Sequence, residues 1–575
     1  MNILVISGGS GNDALIKGLK SFYPELDVKV LVNAYDNGKS TGVCRYVTDT
    51  LGVSDIRKNH TRMYKAMTPV HLQNKCLLEF YDKRYNLTKG KEADEVIQLL
   101  DTWGLNQLSA YAISFFNRPQ AEEKTFNDFA ISNIIYAEMY AEHGYEYTNK
   151  YFAELLGIDD FVILNSFDNV YIEALTERGK IIEDEGDIVE HQCPWDRIVG
   201  IRYAQGGVVK HQLNPEAIKA IDNADMIVIS TGTFWSSIFP TLDYLDLYKY
   251  INNAKCKKLW CMNNNQDKDA YAVTSTDFIR YVENLGLNLS DFSILINSDA
   301  EEELQKTDEK HKFIIKSMGN HNGKHDGGLY AQAVLEYYYG LSNLEFNHIM
   351  FDFDDTIWSR DYDTDKEAYE ISGMNTRLLV QLNRVVDCSI ISGNSFESIA
   401  KKLRLIYGSN FSNEFKLDIW ADANAVLYKD GEARYTIPSS IIDAEKADTL
   451  MKKLYNNYGI MCYPNPQYTC LKMKPYTGIL QRVLADYLTE SLLNSCGLKD
   501  CVAKTTGRST VDIVTVNNCK TNVLEQYAIP LDKILYIGDE IDSGNDREIA
   551  EKVGHAIKTK DVNETNAVLR ILLER

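Results

Sequence analysis

No apolar run in this 575-residue chain approaches the ~20 residues that a membrane span requires. The N-terminus, Met-Asn-Ile-Leu-Val-Ile-Ser, has no basic segment ahead of its apolar residues, so no secretory signal is expected. Cysteines are scattered, odd in number at eleven, and form no Cys-x-x-Cys pair. That argues against a disulfide framework and fits reduced thiols in a cytoplasm. Positive charge is scarce: 61 Lys and Arg face 82 Asp and Glu, for a net charge of −21. Nucleic-acid binding rests largely on phosphate neutralisation by Lys and Arg, and anionic membranes select for the same residues. Neither partner is expected. Repeats and low-complexity tracts are absent, despite 36 tyrosines.

What remains is ordinary globular protein, 45% apolar and 25% charged, in a chain long enough for two to four domains. On so acidic a surface, a small phosphorylated ligand binds only where local cations, backbone N–H groups or a metal overcome the global field. Two such places occur, one in each half.

In the second half, Phe346 to Phe351 is a short apolar run of the kind that forms a buried parallel strand, and it ends in Asp352, Asp354 and Thr356. Two carboxylates one residue apart repel each other unless a cation or a proton separates them. Open α/β sheets bind ligands at strand carboxyl ends, where this repulsion sits. Cys388 to Ile391 is a second strand, ending in Ser392-Gly393-Asn394. Lys520 opens a helix predicted over residues 521–527, and Leu535 to Gly538 is a third strand ending in Asp539-Glu540, followed by Gly544-Asn545-Asp546.

In this order the segments resemble the four motifs of the haloacid dehalogenase (HAD) phosphohydrolases. The resemblance implies Asp352 as nucleophile, Asp354 as general acid and base, and Ser392 and Lys520 as holders of the phosphoryl oxygens. It implies Mg²⁺ among Asp352, Asp354, Asp539 and Asp546. Asp546 is either a second metal-facing acid or the partner that orients Lys520.

The first half opens as strand, turn and helix: Ile3 to Ile6, then Ser7-Gly8-Gly9-Ser10-Gly11, then Ala14 to Lys20. Glycines and a helix N-terminus let backbone N–H groups approach a phosphate. The next strand, Val28 to Val32, runs into Asp36-Asn37-Gly38-Lys39-Ser40-Thr41-Gly42 with Arg45 beyond, and Asp55-Ile56-Arg57 follows. An acid, a lysine, hydroxyls and two arginines near successive turns suit an anion and leave room for a divalent ion.

These segments are similar to the successive motifs of the CofD-like proteins. Ala224 to Pro240, including Thr233 and Ser236, resembles a further segment of that family, as do the strand from Leu259 to Asn264 and His325-Asp326. The likeness covers most of residues 1–335 and implies a nucleotide or nucleotide-sugar ligand held by Gly8, Gly9, Ser10, Gly11, Asp36, Asn37, Lys39, Ser40, Thr41, Arg45, Asp55, Arg57, Asn133, Thr233 and Ser236. Two departures stand out. Asn37 replaces the second of two aspartates, and Lys39 replaces a glycine or serine, which moves this loop from metal chelation toward direct phosphate binding.

The pattern over residues 127–144 predicts an amphipathic helix with Ile131, Ile134, Ile135 and Met139 on one face. Residues 72–125 are expected to be helices beside the nucleotide site, and the Gly340 to Asn343 break predicts a short join. The long interval between Ser392 and Lys520 resembles a class 2 cap. Its strand-like Ala425 to Tyr428, the Asp430-Gly431 turn and Ala433 to Ile437 predict a sheet within it. The expected α/β architecture is thus a Rossmann-like CofD-like domain over 1–340 and a Rossmannoid HAD core over 345–396 and 506–575, with an α+β cap at 397–505. Together the resemblances imply a phosphatase for a small phosphorylated metabolite, fused to a transferase of a phospho-acid group from a nucleotide carrier. The alternatives are a non-catalytic nucleotide-sugar sensor in the first half and a phosphomutase in the second. A homodimer is a further expectation.

Overall fold

The computed structural model describes every residue except Ser10, 264–268, 299–309, 320–324, 474–491, 507–509 and 543–545. The chain divides into two compact units, Met1–Ser342 and Asn343–Arg575. Among the described residues no helix is long and apolar enough to cross a membrane.

The first unit is built on seven parallel strands in the order Lys312–Lys316, Phe292–Asn297, Lys257–Cys261, Met226–Ile229, Asn2–Ile6, Asp27–Val32 and Val162–Leu164. Strands covered on both faces read as continuous apolar runs, and Met226–Ile229 is buried at every position. From Asn2–Ile6 the chain moves outward to Asp27–Val32, then later returns to pair Met226–Ile229 on the other side. The order therefore reverses beside the first strand, which sets the loops at 7–11 and 230–237 side by side at the carboxyl ends of the strands. Helices Asp13–Phe22 and Gly327–Tyr338 pack so closely that a Cβ on Gly18 would lie 1.9 Å from the Gly327 carbonyl oxygen.

Residues 72–125 contain the helices Lys75–Asp82, Glu92–Thr102 and Ser109–Phe116. The predicted amphipathic helix, Ile131–His143, is buried on all sides from Ile131 to Tyr140, not along one face. Its polar positions Ser132, Asn133 and Glu138 are inside because Arg118 pairs with Glu138, and Arg57 and Ser40 meet Asn133.

The second unit carries another seven-stranded sheet, in the order Glu432–Thr436, Val426–Lys429, Asp418–Ala421, Asp387–Ile391, His348–Phe351, Ile534–Gly538 and His555–Lys558. The last five are parallel and the first two are antiparallel. This corrects the expected cap: the hairpin around Asp430-Gly431 extends the core sheet because Asp418–Ala421 pairs parallel with Asp387–Ile391 before folding back. Among the described residues a separate sheet has four strands, Cys462–Pro464, Leu471–Met473, Thr510–Thr515 and Cys501–Thr506, so the boundary expected at 506 falls inside it. One face of this sheet packs Leu471, Met473, Val511 and Ile513 against Ala447, Leu450 and Leu454 of helix Ala444–Tyr458.

Candidate functional site

In the second unit, His348–Phe351 lies between Asp387–Ile391 and Ile534–Gly538, and the chain reverses direction across the sheet there. The three strand ends deliver Asp352, Ser392 and Asp539 to one place. The Asp352 N–H donates to the Ile537 carbonyl at 2.8 Å, which extends the strand pairing into the acid itself. Lys520 Nζ donates to Asp352 Oδ1 at 2.5 Å, to Asp546 Oδ1, and to the Tyr536 hydroxyl at 3.1 Å. Tyr536 donates to Asp546 Oδ1 at 2.6 Å, and the Glu540 N–H donates to Oδ2 at 3.2 Å. Asp546 meets both expectations raised for it, pairing with Lys520 and standing within the acid cluster. A Cβ on Gly538 would fall 2.4 Å from Asp546 Oδ2, so this strand end admits only glycine.

Asp352, Asp539 and Asp546 each offer an oxygen within 4.8 Å of the other two. Burial, then the charge of Asp546, pushes the Asp539 carboxyl up to about 6. Burial also holds Asp352 well above the carboxylate range; Lys520 opposes this and Asp546 and Asp354 add to it. Burial alone would lower Lys520, but Asp352 and Asp546 outweigh it and keep the ammonium charged. Acids crowded this closely in an all-oxygen set fit a hard divalent cation such as Mg²⁺, which would relieve their repulsion.

The three-acid group does not contain Asp354. Its Oδ1 accepts from Lys402 Nζ at 2.7 Å and its Oδ2 from Asn394 Nδ2. Lys402 comes from helix Phe396–Tyr407, which starts just after the Ser392 loop, and its ammonium also lies over the Phe353 and Tyr362 rings. Ser392 is buried, and its Oγ accepts from the Asn394 N–H at 3.1 Å. Behind it, Asp422, Ala423 and Asn424 take left-handed φ values of 53°, 64° and 61° in succession. Their N–H groups donate to the carbonyls of Asn394, Gly393 and Ser392, which holds the strain. Gly544 and Asn545 lie outside the described residues.

In the first unit, the glycine loop is shaped by side chains of its own domain. A Cβ on Gly9 would lie 2.0 Å from Asp55 Oδ1, one on Gly8 would lie 2.3 Å from Ser237 Oγ, and one on Gly11 would lie 1.8 Å from the Thr231 carbonyl oxygen. Ser10 and Asn264 lie outside the described residues. Asp55 meets Lys58 at 3.4 Å. Asp36 Oδ1 accepts from the Gly38 N–H at 2.8 Å, while Lys39 is exposed and left-handed at φ 46°. Thr41 is buried, and its N–H bonds to the Gly38 carbonyl. Burial, with Asp55 adding and Lys58 opposing, raises Asp36. Burial, then Asp36 and Asp55, pushes Glu185 up to about 9.

Two expected ligand contacts are corrected. Arg45 is 1% exposed and spends its guanidinium on the carbonyls of Tyr35, Asp36, Thr50 and Val170 and on Asn169 Oδ1. Arg57 is also buried and donates to Asn133 Oδ1 at 2.7 Å and to the Tyr81 carbonyl. Asn133 Nδ2 then donates to Ser40 Oγ at 3.0 Å, so these residues form an internal network. Each buried acceptor left unpaired would cost about 1–3 kcal/mol, which keeps both guanidiniums turned inward. Thr233 Oγ1 meets Ser236 Oγ at 2.8 Å and Ser237 Oγ at 2.9 Å.

Sequence reasoning missed Asp269, whose carboxylate accepts from the N–H groups of Phe234 and Ser236 at 3.0 and 2.7 Å. It thereby caps the turn expected to face a phosphate, and burial raises it to about 6 against those bonds. Glu185 and Lys402 were missed for the same reason: each is far in sequence from the acid it approaches.

Residues 3–331 match the family model described as 2-phospho-L-lactate transferase CofD. The chain belongs to the CofD family. A relative within reach of that match is the gluconeogenesis factor of Bacillus subtilis, 23% identical over 302 residues, covering 52% of this chain and 78% of that protein. A CofD-unit likeness among solved structures is a member of the UPF0052 family from Bacillus halodurans, 18% identical with a TM-score of 0.43, covering 58% of this chain and 98% of that one. A haloacid dehalogenase-like hydrolase from Bacteroides thetaiotaomicron is also similar, at 11% identity and a TM-score of 0.29, covering 40% of this chain and 98% of that one.

Proposed function

We propose that the second unit is a Mg²⁺-dependent phosphatase for a small phosphorylated metabolite, and that the first unit binds a nucleotide or nucleotide-sugar from which it transfers a phospho-acid group. The observation that carries the phosphatase reading is Lys520, held between Asp352 and Asp546 beside Asp539. An Asp352 oxygen attacks phosphorus, the bond to the leaving oxygen breaks, and an aspartyl-phosphate forms. Asp354, anchored by Asn394 and Lys402, supplies a proton to the leaving oxygen and later takes one from the attacking water. Water then cleaves the acyl-phosphate and releases inorganic phosphate. Lys520 and the Ser392 loop hold the phosphoryl oxygens. Asp352 and Asp539 would hold the cation, which supplies charge neutralisation at the transferring phosphoryl group.

Asp352→Asn tests this directly, because an amide cannot form the acyl-phosphate. With Mg²⁺, phosphate release from p-nitrophenyl phosphate should fall to background, and more than a trace of turnover would sink the assignment. Free phosphate from a sugar 1-phosphate, without a 6-phosphate product, separates a phosphatase from a phosphomutase.

For the first unit, the family description supports transfer. A nucleotide-sugar sensor is the second reading, favoured by the loss of Arg45 and Arg57 to internal contacts. Incubation with nucleotide-sugar and candidate acceptors decides between them: a sensor shifts thermal stability without consuming the ligand.

A further inference from the structure

The cap sheet has a polar row that the phosphatase reading leaves without a role. Lys472 and Lys504 both stand directly opposite Asp512 on neighbouring strands. Directly paired residues point to the same side of an antiparallel sheet. Leu471, Met473, Val511 and Ile513 fill the face covered by helix Ala444–Tyr458, so the lysine row lies on the opposite face. That face is turned toward the core, because Cys470, Val502 and Val514, two residues along the same strands, pack against Ala423. Ala423 belongs to the strained turn whose N–H groups hold the Ser392 loop.

The row is also linked to the catalytic lysine. Lys504 Nζ donates to the Asn518 carbonyl at 3.3 Å, two residues before Lys520. The Asn518 side chain is 5% exposed, and its Nδ2 has no acceptor among the described residues. Lys472 lies 3.9 Å from Asp512, a loose pairing that leaves its ammonium able to donate elsewhere.

Resting on the phosphatase reading, we propose that Lys472 and Lys504 bind a second anionic group of the substrate, with the Asn518 amide as an added donor. The row sits about 7 Å, two strand residues, beyond the contact with Ala423. The row lies on the sheet strands and apart from the strand-end acids, so the second anion is a group of the substrate other than the scissile phosphate. This makes the substrate class a phosphomonoester of sugar length that also carries a second phosphate or a carboxylate.

The test compares kcat/KM of the full-length protein with Mg²⁺ for four compounds: p-nitrophenyl phosphate, a hexose 6-phosphate, a hexose 1,6-bisphosphate and 6-phosphogluconate. Wild type should prefer at least one doubly anionic compound over the hexose 6-phosphate by about tenfold or more, the gain expected of charge-assisted contacts. Preference for the bisphosphate alone assigns a phosphate, and preference for 6-phosphogluconate alone assigns a carboxylate. Lys472→Met with Lys504→Met should erase the preference while p-nitrophenyl phosphate turnover stays within about threefold, and the two arginine replacements should retain it. Hydrolysis of p-nitrophenyl phosphate with no preference in wild type, or an equal loss on all four compounds in the methionine variant, overturns this inference alone. Absence of p-nitrophenyl phosphate turnover in wild type overturns the phosphatase reading with it.

Discussion

Asn37 accepts, through Oδ1, a 3.0 Å hydrogen bond from the backbone N–H of Glu185, and its Nδ2 donates to the Glu183 carbonyl. The residue that replaces an expected aspartate thus pins a distant segment, and that segment brings its own carboxyl up to Asp36 and Asp55. Glu185 is raised to about 9 by burial and then by those two acids. An acid whose folded pKa exceeds its unfolded value holds a proton in the native state, so stability is lost as pH rises from the ordinary carboxylate range through about 9. Glu185→Gln should flatten the decline in Tm between about pH 6 and about pH 9. Parallel curves for wild type and variant would remove Glu185 from the cluster.

Lys520 neutralises two buried acids at once. Removing one partner of a buried ion pair typically costs about 3–5 kcal/mol because the other charge is stranded. Lys520→Met should therefore lower stability by that order and abolish turnover. Adding Asp546→Asn should recover part of the stability and none of the activity. Denaturant melts and phosphate release read the two effects separately.

If the acids near Lys520 hold a cation as proposed, its binding depends on pH. Asp539 lies at about 6, above the unfolded value, so in the absence of metal its contribution to stability falls as pH rises toward 6. Above that point the carboxylate is available to a cation, and binding stabilises by mass action. The rise in Tm produced by Mg²⁺ should be larger at about pH 7.5 than at about pH 5. Equal shifts at both pH values, or a larger one at low pH, would exclude Asp539 from the cation site.

Arg45 and Lys58 should separate architecture from ligand binding. Arg45→Met strands several buried acceptors, each worth about 1–3 kcal/mol when left unpaired. A large drop in Tm is expected. Lys58 is partly exposed beside Asp55 and the glycine loop. Lys58→Met should leave Tm nearly unchanged and weaken a phosphorylated ligand at least about tenfold, the value of a charge-assisted contact. Calorimetry with a nucleotide that binds wild type checks this, and unchanged affinity would make Lys58 a structural partner of Asp55.

The strand-end acids were legible because a short apolar run followed abruptly by Asp is a local signal, as at Phe351-Asp352 and Gly538-Asp539. Lys520 was legible only through the order of the HAD-like motifs, since a lysine at a helix start is by itself an ordinary surface charge. Asp269, Glu185 and Lys402 were not, since only long-range packing brings them to their partners. Arg45 misled for a related reason: a guanidinium near a phosphate-like loop looks the same in sequence whether it faces solvent or five acceptors within its own domain. The hairpin at Asp430-Gly431 was correctly read as a hairpin, but no local feature states which sheet a hairpin joins.

The pairing of His348–Phe351 with Ile534–Gly538 has a consequence for biogenesis. The first of these strands leaves the ribosome before the whole cap, and the second leaves after it. The loop that must close is long, and its entropy is lost before the contact is gained. Asp352 therefore waits without Asp539, Asp546 or Lys520 until synthesis of the unit is nearly finished. A chain truncated between residues 397 and 505 carries Asp352 but lacks Lys520, Asp539 and Asp546, so the acid and lysine cluster cannot assemble in it.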